Sequence, residues 1–403
     1  MVQRRSQQLG VGTLGLSKAE KAYVQEALES DRLSYGPFCR RFEREFAQLH
    51  DCKFAVFVNS GTSALSIAIA CLKETENWQA EDEVIVPALT FVATANVVLE
   101  HGLKPVFVDC DPITYNIKPD AIEAKITKKT RAIMPVHLFG LVADMDPIMA
   151  IAKKHNLRVI EDSAETVGVS YKGRKTGSFG DISCFSTYIA HLVVTGVGGL
   201  AVTNDPTYAG ILRSLANHGR DGIYISIDDD KDIDGAKFEQ VIKRRFHFVR
   251  RGYSFRATEL EAAIGCGQLE RFSGTLKIRH KNAQTLLTLL RPFEVWLQLP
   301  SYDLAIQEHA FMMFPIVIRK DAPIRKAALV QYLEEWNVET RDMVPLINQP
   351  VYESMHIRQS DFPNASWIND YGFYIGCHQG LKEPDLHYMS QVLEQFFVSK
   401  GLV

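Results

Sequence analysis

The chain contains no apolar run approaching the roughly 20 residues that cross a bilayer, which excludes a membrane-spanning helix as its organising element. Its first segment, Met1 to Gly12, is polar and offers no apolar signal region, so the sequence reads as that of a cytoplasmic protein. A charge excess is also missing. The 45 Lys and Arg against 48 Asp and Glu give a net charge of −3, which supplies no case for a nucleic-acid or anionic-membrane partner. Cysteine clustering is absent as well. The seven cysteines (Cys39, Cys52, Cys71, Cys110, Cys184, Cys266 and Cys377) include no C-x-x-C pair, which argues against zinc or redox roles and predicts buried, reduced thiols. The acidic run Asp228-Asp229-Asp230-Lys231-Asp232 is not followed by a calcium-loop glycine and glutamate. It reads as a solvated loop, and no metal is expected. There is no internal repeat and no low-complexity linker.

What is present is a large apolar fraction, 46% of 403 residues, enough for two domains. Ser17 to Leu28 reads as a helix with Ser17 as N-cap and Glu20 three residues on, and Phe38 to His50 as a second, amphipathic one. Short apolar strands then alternate with helices. The strands are Phe54–Val58, Glu83–Val86, Pro105–Asp109, Ala132–Val136 and Arg158–Asp162, and the helices are Thr62–Leu72, Ala93–His101, Pro119–Ile126 and Asp146–His155. That alternation predicts an α/β fold with a mostly parallel sheet covered on both faces. Ile182–Tyr188 and Leu200–Thr203 read as two further strands, and Thr207–His218 as a helix. Beyond them come two long helical stretches, Thr258–Arg271 and Ile278–Leu290. The segment Ala310–Val317 and the helices Ile324–Trp336 and Asp385–Phe397 suggest a smaller α/β domain. The expected division is a large domain over residues 1–255 and a small one over 256–403.

Asn59-Ser60-Gly61-Thr62-Ser63-Ala64-Leu65 lies between a strand and a helix. Small residues there expose backbone N–H groups at a helix N-terminus, which suits a phosphate, although an ordinary capped turn has the same composition. Glu161-Asp162-Ser163-Ala164-Glu165 ends a parallel strand, the place where such sheets bind ligands. Thr90-Phe91-Val92-Ala93-Thr94, Ser186 and the loop Tyr188 to Gly199 complete a set whose order and spacing are specific. The set resembles the DegT/StrS-type sugar aminotransferases, over roughly residues 15 to 395.

That resemblance implies a pyridoxal phosphate (PLP)-dependent transferase of fold type I, with a seven-stranded, mostly parallel sheet in the large domain. It carries a phosphate-binding role to Gly61, Thr62 and Ser186, ring stacking to Phe91, and the carboxylate facing the pyridine nitrogen to Asp162. Glu165 stands where the family commonly has glutamine, and it either orients the cofactor or assists proton transfer. Lys172 and Lys175 belong to a family hairpin signature and read as exposed hairpin residues. Ser254 replaces an asparagine that reaches the neighbouring subunit's phosphate, so a homodimer with a shared site is implied. Arg341 is a candidate for the phosphates of a nucleotide sugar, and equally a surface arginine.

The departure that matters most is His191. The family lysine lies five residues before the first glycine of a Gly-x-Gly-Gly turn, and counting back from Gly196 gives His191. An imidazole cannot form a Schiff base with PLP, but it can move protons near neutral pH. Histidine here resembles the family's nucleotide-sugar 3-dehydratases, which act through the amine form, pyridoxamine phosphate (PMP). The resemblance then makes His191 the base in removal of a C3 hydroxyl from a nucleotide-linked 4-keto-6-deoxy sugar, and also a candidate for the acid that helps expel it. An amino donor such as glutamate recharges the cofactor. The subgroup with an iron–sulfur cluster uses four cysteines, three of them close together in the C-terminal part. After residue 200 only Cys266 and Cys377 occur, so no cluster is expected. Two other readings stay open: a PMP-dependent enzyme on another keto substrate, and a non-catalytic partner subunit of a related aminotransferase.

Overall fold

A computed structural model describes residues 3–222, 233–344 and 346–402. The acidic run Asp228 to Asp232 lies outside the described residues. Helices α1 (Lys18–Glu29) and α2 (Pro37–Leu49) come first. α1 starts at Ser17 with the capping box anticipated: the Ser17 hydroxyl accepts the Ala19 N–H and the Glu20 carboxylate accepts the Ser17 N–H. α2 has no cap of its own. Glu259 supplies it from elsewhere, accepting the N–H groups of Gly36 (2.7 Å), Phe38 (2.9 Å) and Cys39 (2.9 Å). A carboxylate is favoured at that end by the helix dipole.

The αβ alternation follows: β1 (Phe54–Val58), α3 (Gly61–Thr75), β2 (Glu83–Pro87), α4 (Val92–Glu100), β3 (Lys104–Val108), α5 (Pro119–Ile122), β4 (Thr130–Ile133), α6 (Met145–His155) and β5 (Arg158–Asp162). A small hairpin of β6 (Ser170–Tyr171) and β7 (Arg174–Lys175) precedes β8 (Ile182–Ser186), β9 (Gly199–Thr203) and α7 (Pro206–Ala216). The seven-stranded sheet has the order β1-β9-β8-β5-β4-β2-β3. Every strand but β9 runs parallel; β9 is antiparallel to β1 and β8. The helix expected over Pro119–Ile126 is shorter: after Ile122 it tightens into a 3₁₀ turn, Glu123–Lys125.

After α8 (Gly235–Arg244), α9 runs unbroken from Glu259 to Leu290, where the sequence suggested two stretches. Residues 272–277 include Ser273, Gly274 and Thr275, poor helix formers. Phe272 and Thr275, however, are buried, and packing on one face carries the helix through. α9 lies close on α2, and a Cβ at Gly265 would stand 2.7 Å from the Phe42 ring. A four-stranded antiparallel sheet follows, ordered β10 (Leu297–Gln298), β11 (Phe314–Ile318), β13 (Gly372–Ile375), β12 (Thr340–Asp342). Helices α10 (Lys326–Glu335), α11 (Pro363–Tyr371) and α12 (Glu383–Ser399) accompany it.

Two cores form. The larger surrounds the seven-stranded sheet; the smaller joins Leu286, Phe314, Leu333, Phe373 and Phe397. Leu9 belongs to the smaller core and bridges to Val338, and Arg5 pairs with Asp385. All seven cysteines are free and buried. Among the described residues no helix is long and apolar enough to cross a membrane.

Candidate active site

A cavity of about 410 Å³ opens at the carboxyl ends of the parallel strands, where this architecture places ligands. The register explains how its walls meet. Gly199 of β9 lies opposite Val58 on one side and Ser186 on the other. The turn leaving β1 and the end of β8 therefore converge. Gly61 opens α3 against Ser186, and a Cβ there would meet the Ser186 Cβ at 2.7 Å. The Ser60 hydroxyl caps the helix through the Ser63 N–H at 3.0 Å. The N–H groups of Gly61 and Thr62 have no partner among the described residues, and both residues line the cavity with Ser186. That is an anion cradle.

Asp162, at the end of β5, is 4% exposed. One of its oxygens accepts the Thr94 hydroxyl at 2.8 Å and the other the Ala164 N–H at 3.2 Å. Thr94 is itself paired with the Thr90 hydroxyl at 2.8 Å. Burial raises the Asp162 carboxyl above its usual range, and the Thr94 and Ala164 bonds oppose that. Neighbouring Glu161 does not line the cavity and is bound by the loop between β7 and β8. It accepts the N–H groups of Gly177, Phe179 and Gly180 and the His137 Nε2–H at 3.1 Å. Burial pushes its carboxyl up, yet His137 and these amides hold it below the ordinary value. Because His137 Nδ1 accepts the Ala143 N–H, the ring proton lies on Nε2.

Glu165 also lines the cavity and accepts the Phe139 N–H; burial pushes its carboxyl up to about 8. Phe91, just before α4, is 61% exposed, an unusual state for a large apolar ring, and lies on the cavity wall. His191 lies in the loop between β8 and β9, which is tied by Thr187 N–H to Gly198 O (2.9 Å) and Thr195 N–H to Thr187 O (2.9 Å). Its Nδ1 is buried with no hydrogen-bond partner among the described residues. Burial pushes the imidazole down to about 4, the Ala164 carbonyl partly opposing, so the ring is neutral at pH 7 and able to accept a proton. Among the described residues no lysine lines the cavity. Lys172 pairs with Asp146, and Lys175 donates to the Gly168 carbonyl.

The structure thus brings together Gly61, Thr62, Phe91, Asp162, Glu165, Ser186 and His191. It places Ser254 and Arg341 off this wall. Ser254 is exposed, bridged to Asn217 and bonded to Arg256. Arg341 pairs with Glu339 and donates to the Thr340 carbonyl, although Tyr374, opposite it in the register, lines the cavity. Sequence reasoning missed Thr94, whose signal was the Thr90–Thr94 spacing of one helical turn beside Phe91. It also missed Tyr374, Met312, Met313 and Val344, which arrive from the second half of the chain with no local mark. Val344 holds φ 38, rare for a β-branched residue.

The donor set fits PLP: an anion cradle at one end, an exposed aromatic face beside it, and a buried, hydrogen-bonded carboxylate beyond. Among the described residues no group of His, Cys, Asp and Glu is arranged to hold a metal ion.

Comparison with known proteins gives the same class. The GDP-perosamine synthase of Caulobacter vibrioides is 34% identical over 392 residues, 97% of this chain and 98% of its own. The dTDP-4-dehydro-2,6-dideoxy-D-glucose 3-dehydratase of Saccharopolyspora spinosa is 34% identical over 391 residues, 93% of this chain and 83% of its own. A solved Escherichia coli GDP-4-keto-6-deoxy-D-mannose-3-dehydratase with bound hydrated PLP superposes with a TM-score of 0.87 at 26% identity, covering 96% of this chain and 100% of that one. The architecture is that of fold type I. Residues 15–394 match the model of the DegT/DnrJ/EryC1/StrS aminotransferase family, and the chain belongs to that family of PLP-dependent enzymes.

Proposed function

We propose that the protein is a 3-dehydratase of a nucleotide-linked 4-keto-6-deoxy sugar, driven by PMP that an amino donor, glutamate, regenerates. The observation that carries this reading is His191: among the described residues, a neutral imidazole with an orphaned Nδ1 stands in a cavity wall without any lysine. Bound PLP supplies an electron sink and, in its amine form, a nucleophilic nitrogen. Gly61, Thr62 and Ser186 hold its phosphate, and Phe91 covers one ring face. Asp162, whose two oxygens accept the Thr94 hydroxyl and the Ala164 N–H, would face the ring nitrogen. His191 would serve as the base that moves a proton at the C4′ carbon of the bound cofactor. Arg341, beside Tyr374, serves the nucleotide phosphates at the mouth. Ser254, exposed and off its own chain's cavity wall, serves the site of a second copy in a homodimer.

The overall balance is closed. For each C3 hydroxyl replaced by hydrogen, one glutamate is oxidised to 2-oxoglutarate and one ammonia is released. The test mixes purified protein, PLP and glutamate and follows loss of the aldehyde absorbance. A 4-keto-6-deoxy nucleotide sugar is then added, and ammonia and sugar mass are measured. A 3-deoxy product with ammonia is expected. A 4-amino sugar without ammonia means that the chain is an aminotransferase with an unusual base. Failure to bind PLP means a non-catalytic subunit.

A further inference from the structure

The removal of a hydroxyl needs a base at one carbon and an acid at the departing oxygen. His191, neutral by burial, is fitted to the first need, and a second proton carrier on the same wall would leave it free of the other. The other proton carriers on the cavity wall are Asp162, Glu165, Tyr188 and Tyr374. Asp162 has both oxygens engaged by Thr94 and Ala164. Tyr188 is 51% exposed, at the rim. Tyr374 is pushed up to about 12, by burial first and then by Glu165, which makes it a weak acid.

Glu165 differs from all of these. It is buried among cavity-lining residues, with Oε2 fixed by the Phe139 N–H and no partner on Oε1 among the described residues. The N–H that seats it is itself held in place. Phe139 adopts φ 57 although it is not glycine, a strained conformation that packing must sustain. Its ring is wedged between Tyr115 (centroids 5.8 Å) and Tyr374 (6.4 Å). Burial keeps the Glu165 carboxyl protonated at neutral pH, the Phe139 N–H opposing. The chain therefore presents a proton donor and a proton acceptor to one cavity, from two different loops.

We propose that Glu165 is the catalytic acid of the reaction, giving its proton to the oxygen that leaves C3 while His191 acts as the base. This rests on the dehydratase reading above. The C3–O bond breaks, its electron pair stays with the oxygen, and the Glu165 proton completes a water molecule. His191 then holds one proton and Glu165 lacks one. Transfer from imidazolium to carboxylate, directly or along water, restores both without any external oxidant or reductant.

The experiment separates the two half-reactions in wild type, Glu165→Gln and Glu165→Asp, and records the infrared spectrum of each apoprotein. The amide of Glu165→Gln keeps size and hydrogen bonding but has no proton to give. It is expected to bind PLP as wild type does and to slow sugar deoxygenation at least 100-fold (roughly the value of a positioned acid). The glutamate half-reaction should fall far less, and Glu165→Asp should recover part of the loss. The wild-type spectrum should contain a protonated-carboxyl stretch that Glu165→Gln lacks. Deoxygenation at the wild-type rate in Glu165→Gln, or no such band in wild type, overturns the role of Glu165 alone. A wild-type enzyme that aminates the sugar without ammonia overturns the dehydratase reading and this role with it.

Discussion

Thr94→Val tests how the site opposes the neutralisation of a buried carboxylate. The two side chains have the same shape, so the change removes one hydroxyl from a position that is fully buried. It deletes the 2.8 Å bond to Asp162 and strands the Thr90 hydroxyl that pairs with Thr94 at 2.8 Å. A hydrogen bond to a charged group is worth about 1.5–3 kcal/mol. Burial already raises the Asp162 carboxyl, and Thr94 is the first of the groups opposing it, so losing the hydroxyl moves Asp162 further toward its neutral form. A neutral Asp162 cannot stabilise a protonated ring nitrogen. The PLP dissociation constant should therefore rise roughly 10- to 150-fold, at 1.4 kcal/mol per decade. The assay is equilibrium titration of apoprotein with PLP, followed by absorbance, with Thr94→Ser as the control that keeps the hydroxyl. Wild-type affinity in Thr94→Val would refute the reasoning, because it would mean that the Ala164 N–H alone opposes that neutralisation well enough.

Three other outcomes are expected. Gly61→Ala places a methyl 2.7 Å from the Ser186 Cβ; overpacking of this kind costs about 1–3 kcal/mol, and competition between PLP and inorganic phosphate should show both weakened. Glu165→Gln should stabilise the fold at pH 7.5 and not at pH 4. The native carboxyl is raised to about 8, so between the unfolded value near 4.5 and that value the native state binds more protons and stability falls as pH rises; melting curves of the apoprotein at the two pH values check this. Glu259→Gln leaves the N-terminus of α2 with a poorer acceptor for Gly36, Phe38 and Cys39. Faster amide exchange at those three residues and an unfolding free energy lower by about 1.5–3 kcal/mol are the expected readouts.

Much of the large sheet was legible because its strands are short apolar runs closed by turn residues, and the Ser17–Glu20 box announced α1 in four letters. Where local and tertiary signals disagreed, the sequence misled. Ser273 and Gly274 suggested a break in α9 that the burial of Phe272 and Thr275 overrides. Pro119 started a helix that Ile122 could not prolong as α. In the site, residues beside strand ends could be found from their neighbours: Gly61, Asp162, Ser186 and His191 each follow or end a readable strand. Tyr374 and Met312 could not, since their place on the wall depends on how the four-stranded sheet meets the larger one. Thr94 was hidden differently: a threonine in a helix reads as a neutral surface residue until a buried carboxylate is known to sit beside it.

The tie between the first residues and the small core has a consequence for how the chain is made. Leu9 rests on Val338 and Arg5 on Asp385. During synthesis the partners of this segment emerge about 330 to 380 residues after it. At about 5–20 residues per second, the segment waits for something like a quarter of a minute to just over a minute with its docking place unmade. Meanwhile β1 to β9, which do not depend on it, can pair. The beginning of this chain is thus among the last parts to find its seat, a late latch on a molecule whose sheet is already built.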